Sequence, residues 1–89
     1  MPLFSGRPVY ILGTGMYVPE RIMTNQELEK IVETTNEWII ERTGIHTRHI
    51  AAPGELTSDL AFAAGVRAME SAGVKPETLD MVIVGTNSP

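Results

Sequence analysis

The chain has 89 residues and a mass of 9.7 kDa, with 43% hydrophobic and 20% charged residues, a globular rather than disordered balance that fits one domain at most and more readily part of one. Seven basic against eleven acidic side chains leave a net charge of −4, and cysteine is absent. A generally basic nucleic-acid binder, a disulfide framework, a thiolate metal site and a cysteine nucleophile are thereby excluded within this sequence. No apolar run approaches the roughly 20 residues of a membrane span. Met1 to Pro8 lacks the basic and apolar regions of a signal peptide, so a cytoplasmic chain without membrane or nucleic-acid partners is expected. Repeats, low-complexity stretches and linkers are absent, and residues 1–89 are expected to form one partial domain with no internal boundary.

Val9 to Leu12 is a short β-favouring apolar run and predicts a first strand, with Gly13-Thr14-Gly15 as a turn after it. Pro19 pushes Val18 toward extended geometry and makes a helix there unfavourable. Thr24 and Glu27 have capping-box spacing, with Met23 and Leu28 at the positions of a hydrophobic staple. They predict a first helix whose apolar face is Leu28, Ile31 and Val32. Thr34 and Glu37 repeat the box and predict a short second helix over about Thr35 to Thr43, with Gly44 to end it. Ile45 to Ile50 reads as extended, and Ala51 to Gly54 as a loop. A third helix is predicted from Thr57 or Ser58 to about Ala72, stopped by Gly73. Its Leu60, Ala64, Ala68 and Ala72 share one face, where small residues admit close approach of another element. Pro76 suits the start of a brief helical turn to Leu79. Met81 to Val84 reads as a strand buried on both faces, as in a parallel sheet. Strand, helices, strand predicts a right-handed βαβ unit whose two strands need further neighbours.

Several patterns invite a function. Gly13-Thr14-Gly15 after a strand suggests dinucleotide binding, but Val18 stands where the third small residue belongs and no helix opens there. His46 and His49 lack the further ligands of a metal site and fall in an extended segment, so no metal is expected. Glu29, Glu33, Glu37 and Glu41 repeat at spacing four, as solvated helix faces do. Trp38 and Arg42, four apart, share a face of the second helix. One reading is a core tryptophan with the arginine lying over it. The other is an exposed platform: an indole that stacks on a nucleobase, and a guanidinium that holds the base or a nearby phosphate. Locally the second is favoured, because Arg42, His46, Arg48 and His49 fall in a stretch without acids, whereas residues 20–41 carry six acids and two bases.

Several strings carry a resemblance to a known family. Leu12-Gly13-Thr14-Gly15, Tyr17-x-Pro19-Glu20 and Thr24-Asn25-x-x-Leu28-Glu29 resemble the opening of a β-ketoacyl-[acyl carrier protein] synthase III. The most specific block is Thr34-Thr35-Asn36-Glu37-Trp38-Ile39-Ile40-Glu41-Arg42-Thr43-Gly44-Ile45, close to the family form T-S-D-E-W-I-x-x-R-T-G-I. The likeness continues through Arg48-His49-Ile50-Ala51 and Thr57-Ser58-Asp59-Leu60-Ala61, and ends with Asp80 to Pro89. It implies an α/β chain that is the N-terminal part of a thiolase-like fold: a βαβ unit of a mixed, mainly parallel sheet with covering helices, incomplete on its own. The implied activity is transfer of an acyl group, usually acetyl, from acyl-CoA to a cysteine. Condensation with malonyl-[acyl carrier protein] then begins a fatty-acid chain, in an enzyme that is homodimeric when complete and needs no cofactor. By the same resemblance Trp38 stacks on the CoA adenine, Arg42 holds the adenine and phosphate region, Thr34 bonds near the adenine, and Thr43 lies at the mouth of the pantetheine tunnel. The family's catalytic Cys, His and Asn have no counterparts here, so no residue of this sequence is named catalytic and the chain alone is expected to be inactive. Two other readings stay open: a non-catalytic short subunit that completes its sheet on a partner chain, and a thiolase-fold relative of the polyketide or hydroxymethylglutaryl-CoA type.

Overall fold

The computed structural model describes residues 6–88. The signal-peptide reading of Met1 to Pro8 therefore falls largely outside the described residues, as does Pro89 at the end of the family-like string. The elements follow in the order β1 (Arg21–Thr24), α1 (Asn25–Glu29), α2 (Asn36–Thr43), β2 (Thr47–Ile50) and α3 (Thr57–Ala72), with a 3₁₀ turn at Pro76–Thr78. β1 and β2 pair antiparallel, with Arg21 opposite Ile50, Ile22 opposite His49, Met23 opposite Arg48 and Thr24 opposite Thr47. The extended reading of 45–50 thus holds, while its partner β1 carries no alternating pattern and is a strand the sequence does not announce.

Thr24 caps α1 as expected, its hydroxyl accepting from the Glu27 amide at 3.2 Å. The helix is shorter than the apolar spacing predicts, and Ile31 and Val32 are exposed rather than part of a buried face. The reason is a long-range bond: Asn25 Nδ2 donates to Asn36 Oδ1 at 2.9 Å. A helix running on from Asn25 would carry Asn36 about 16 Å along its axis, so the chain must turn back. It does so through tight turns in which the Ile31 and Val32 amides both donate to Leu28 O. α2 forms where expected, but its cap is Thr35 rather than Thr34. The Thr35 hydroxyl accepts from the Trp38 amide at 3.1 Å, and Asn36, held by Asn25, is the first helical residue. Gly44 ends α2 at φ 72°, in the left-handed region that costs glycine least.

α3 matches its predicted span and stops at Gly73, with Asp59 accepting from the Leu56 amide at 2.8 Å at its start. Its small-residue stripe does what such a stripe permits. The backbone of Gly13 and Gly15 lies directly against it: a Cβ on Gly13 would sit 2.6 Å from Ala72 N, and one on Gly15 2.6 Å from Ala64 O. Gly13-Thr14-Gly15 is therefore not the turn that the sequence suggests. Neither glycine has a positive φ, and both are glycine because a helix backbone passes where a side chain would go.

The expected parallel strands are the main difference. Val9–Leu12 and Met81–Val84 carry no ladder among the described residues, and their side chains are 70–92% and 55–84% exposed. A strand is fixed by its neighbours, and the two segments lack them here. Met23, on β1, and Ile39, on α2, are the buried hydrophobic residues among those described. The accessible surface is 7976 Å², against about 5,100 Å² expected for a compact folded chain of this mass.

Candidate functional site

Trp38 and Arg42 stand on one face of α2, one turn apart. The Arg42 guanidinium carbon lies 5.5 Å from the centroid of the indole, within cation–π range. The indole is 54% exposed among the described residues. Thr34 lies just before the Thr35 cap. Because Thr35 caps the helix, the Thr34 hydroxyl is spared that task, and Thr34 joins Glu33, Thr35 and Trp38 around an open recess of about 320 Å³. The structure thus brings together Thr34, Trp38 and Arg42. An indole wall, a guanidinium and a hydroxyl can receive a flat heteroaromatic ring and an attached anion.

Thr43 is elsewhere. It follows Trp38 by five residues, about 7.5 Å along the axis and about 140° around it. Its hydroxyl donates to Ile39 O at 2.7 Å and accepts from the Ile45 amide at 3.0 Å, so it closes the last turn of α2. Of the two histidines, His49 donates from Nδ1 to Pro19 O at 2.6 Å, whereas at His46 it is the backbone carbonyl that accepts, from the Asn25 amide. No cluster of three or more metal-ligating side chains occurs among the described residues.

Asn25 is the residue that sequence reasoning missed. It is the one fully buried polar side chain among the described residues, at 0% exposure. Its Nδ2 donates to Asn36 Oδ1 and to Ile45 O, both at 2.9 Å, while its Oδ1 accepts from Arg48 Nη2 at 2.6 Å. Arg48 Nη1 also donates to Met23 O at 3.2 Å. A buried carboxamide with both donors and its acceptor satisfied locks its neighbours in place. The available signal was the pair Asn25 and Asn36, each at a helix start, which reads as capping when taken one at a time.

A second polar cluster lies at the other end of the ribbon. The Tyr17 hydroxyl donates to Glu55 Oε2 at 2.6 Å, and Glu55 Oε1 accepts from the Ala52 amide at 3.0 Å. These bonds hold the Glu55 carboxyl below its ordinary value, and the carboxylate holds the Tyr17 phenol above its own. The Arg67 guanidinium lies 5.4 Å from the centre of the Tyr17 ring and donates to Met16 O at 2.8 Å, tying the cluster to α3.

No protein-family model matches the chain. Among curated proteins, it is 54% identical over 84 residues to the beta-ketoacyl-[acyl-carrier-protein] synthase III of Hyphomonas neptunium, covering 94% of this chain and 26% of that protein. It is 57% identical over 79 residues to the synthase III of Laribacter hongkongensis, covering 89% of this chain and 25% of the relative. The chain thus spans about a quarter of the length of the curated relatives it matches. Among solved structures, the 3-oxoacyl-[acyl-carrier-protein] synthase III of Aquifex aeolicus superposes with a TM-score of 0.71 at 47% identity, over 79% of this chain and 22% of that one. The priming β-ketosynthase of a polyketide biosynthetic pathway superposes with a TM-score of 0.73 at 44% identity, over 79% and 21%. In sequence over nearly all of its length, and in fold over most of it, the chain matches one segment of the β-ketoacyl-[acyl carrier protein] synthase III family of condensing enzymes.

Proposed function

We propose that the chain is the opening segment of a β-ketoacyl-[acyl carrier protein] synthase III and carries the adenine end of its acyl-CoA site. The observation that carries this reading is the exposed Trp38 with Arg42 over its ring, beside a recess that Thr34 helps to line. Trp38 supplies the stacking surface for adenine. Arg42 supplies a fixed cation for the phosphate-bearing side, and Thr34 a hydroxyl for the edge of the base. Thr43 belongs to the mouth of the pantetheine tunnel; with its hydrogen already given to Ile39 O, it meets the ligand through its methyl group and remaining lone pair.

In the complete enzyme the acyl group of acyl-CoA, acetyl in the simplest case, passes to a cysteine thiolate with release of CoA. Loss of CO₂ from malonyl-[acyl carrier protein] then generates the carbanion equivalent that attacks the thioester. This chain has no cysteine; on this reading the acyl acceptor, with the His and Asn that the family resemblance assigns to it, is supplied by the rest of the complete enzyme. The partial domain spans residues 1–89, and Val9–Leu12 and Met81–Val84 become strands of a mixed, mainly parallel sheet once flanked by further strands. Their exposure and the large open surface support that reading. The same reading makes the complete protein a cytoplasmic homodimer. A polyketide-priming relative is the second reading, supported by the equally good superposition on the priming ketosynthase.

The test is Trp38→Ala in the full-length protein. Base–aromatic stacking is worth about 1–3 kcal/mol per base, so the KM for acetyl-CoA is expected to rise about tenfold or more. An unchanged KM sinks the assignment. The intact mass of the native product separates the enzyme from a short non-catalytic subunit: roughly four times 9.7 kDa supports the enzyme, and 9.7 kDa itself removes it.

A further inference from the structure

We infer that Asn25 is a positioning residue for the acyl-CoA site, holding α2 by both of its ends so that the Trp38 platform keeps one orientation relative to the β-ribbon. The inference rests on the adenine-site reading of Trp38 and goes beyond it, because Asn25 lines no part of the recess.

The geometry is specific. The two hydrogens of one carboxamide go to opposite ends of α2. One meets the side chain of Asn36, the first residue of the helix; the other meets the carbonyl of Ile45, directly after the closing Gly44. The oxygen of the same carboxamide is held by Arg48 of β2, which reaches on to the Met23 carbonyl of β1. The Asn25 amide is bound to His46 O at 3.2 Å, so the backbone of Asn25 is fixed as well. A helix of eight residues bound at both ends to one fully buried group has little freedom to roll or tilt. Ile39, on its inner side, is 6% exposed and adds the apolar contact that a pivot needs. Trp38 is the neighbour of Ile39, and its own amide is spent on the Thr35 cap. A roll of α2 would therefore turn the indole directly, and with it Arg42. A displaced indole stacks on a base less completely, so the loss falls on binding rather than on the chemical step.

Asn25→Asp is the informative change. It keeps size, shape and the acceptor for Arg48, and removes both donors. A carboxylate oxygen then faces Ile45 O, which can only accept. In the full-length protein, well below its melting temperature, the KM for acetyl-CoA is expected to rise about tenfold while kcat stays within about twofold. A purely structural role would lower the melting temperature and leave the KM of the folded protein unchanged, and that result overturns the inference. Should Asn25→Asp not fold, Asn36→Ala breaks the N-terminal hold alone and is expected to raise the KM about threefold; no change again overturns it. Trp38→Ala is measured alongside. If Trp38→Ala raises the KM and the Asn25 and Asn36 variants do not, the positioning role falls and the adenine reading survives. If none of the three raises it, both fall.

Discussion

The contact between the Gly13–Gly15 segment and α3 makes a sharp prediction, because the methyl group that would disturb it has nowhere to go. A Cβ on Gly15 would lie 2.6 Å from Ala64 O and 2.8 Å from the carbonyl carbon of Arg67, with Ala68 N nearer still. Ordinary contacts of this kind begin near 3.4 Å. In Gly15→Ala the helix must retreat by about 1 Å to bring all three to an ordinary contact, and helix backbone cannot rotate aside as a side chain does. Overpacking of a close-packed contact costs about 1–3 kcal/mol. The upper end applies here, since all three neighbours are backbone atoms of one rigid element. Three kcal/mol is a factor of about 150 in an opening equilibrium. In the full-length protein, Gly15→Ala is expected to speed native-state amide exchange across residues 57–72 about a hundredfold, read by mass spectrometry of the peptides from α3. Gly13→Ala, one turn along against Ala72, should act in the same direction. Exchange within threefold of the parent protein in both variants would refute the close-approach account of these glycines and return them to the role of a turn.

Two further predictions concern single local devices. Gly44→Ala places a Cβ at φ 72° in otherwise open space, so the whole cost is backbone strain of about 1–2 kcal/mol, visible as a lowered melting temperature with KM little changed. The Tyr17–Glu55 bond has two pH limits. Glu55 titrates below its ordinary 4.5, so its contribution is complete above that value and is lost as pH falls through its lowered folded value; Tyr17 titrates above its ordinary 10.0, so its contribution is complete below that value and is lost as pH rises through its raised one. Tyr17→Phe should lower the melting temperature between those limits and flatten its pH dependence at both ends; an unchanged profile means that the bond contributes nothing.

The sequence and the structure agree most closely where a residue's role depends on near neighbours. Thr24 accepts from an amide three residues on, and Gly44 and Gly73 end their helices. Each is a short-range event that a pattern of a few residues specifies. The differences arise where distant residues meet. β1 exists because Thr47–Ile50 lies beside it, and nothing in Arg21–Thr24 alone favours a strand. α1 ends early because Asn25 and Asn36 bond across eleven residues. The cap of α2 moves by one residue for the same reason. The two glycines before Met16 carry the signature of a turn, yet are small because α3, more than 40 residues further on, passes against them. In the candidate site, Trp38 and Arg42 are visible as a pair from helical spacing. The 54% exposure of Trp38 in this chain required the fold.

The distribution of polar and apolar contacts along the chain bears on why the candidate site is ordered in a segment that buries so little apolar surface. Residues 20–50 hold their shape through directional bonds that close within the segment. β1 pairs with β2, Arg48 and Asn25 join the ribbon to α2, and the Thr35 cap and Gly44 fix the two ends of the helix. Met23 and Ile39 supply only two buried side chains, roughly 1.5–3 kcal/mol each. Val9–Leu12, Phe62 and Met81–Val84 present the opposite case, apolar surface with no cover among the described residues. A platform built this way takes its internal geometry from the hydrogen-bond network of residues 20–50 and, on the proposed reading, its stability from cover over the apolar runs on either side. Substitutions in the two regions should therefore separate: those that break the Asn25 bonds raise the KM of the folded protein, while those in the flanking apolar runs lower stability at constant KM.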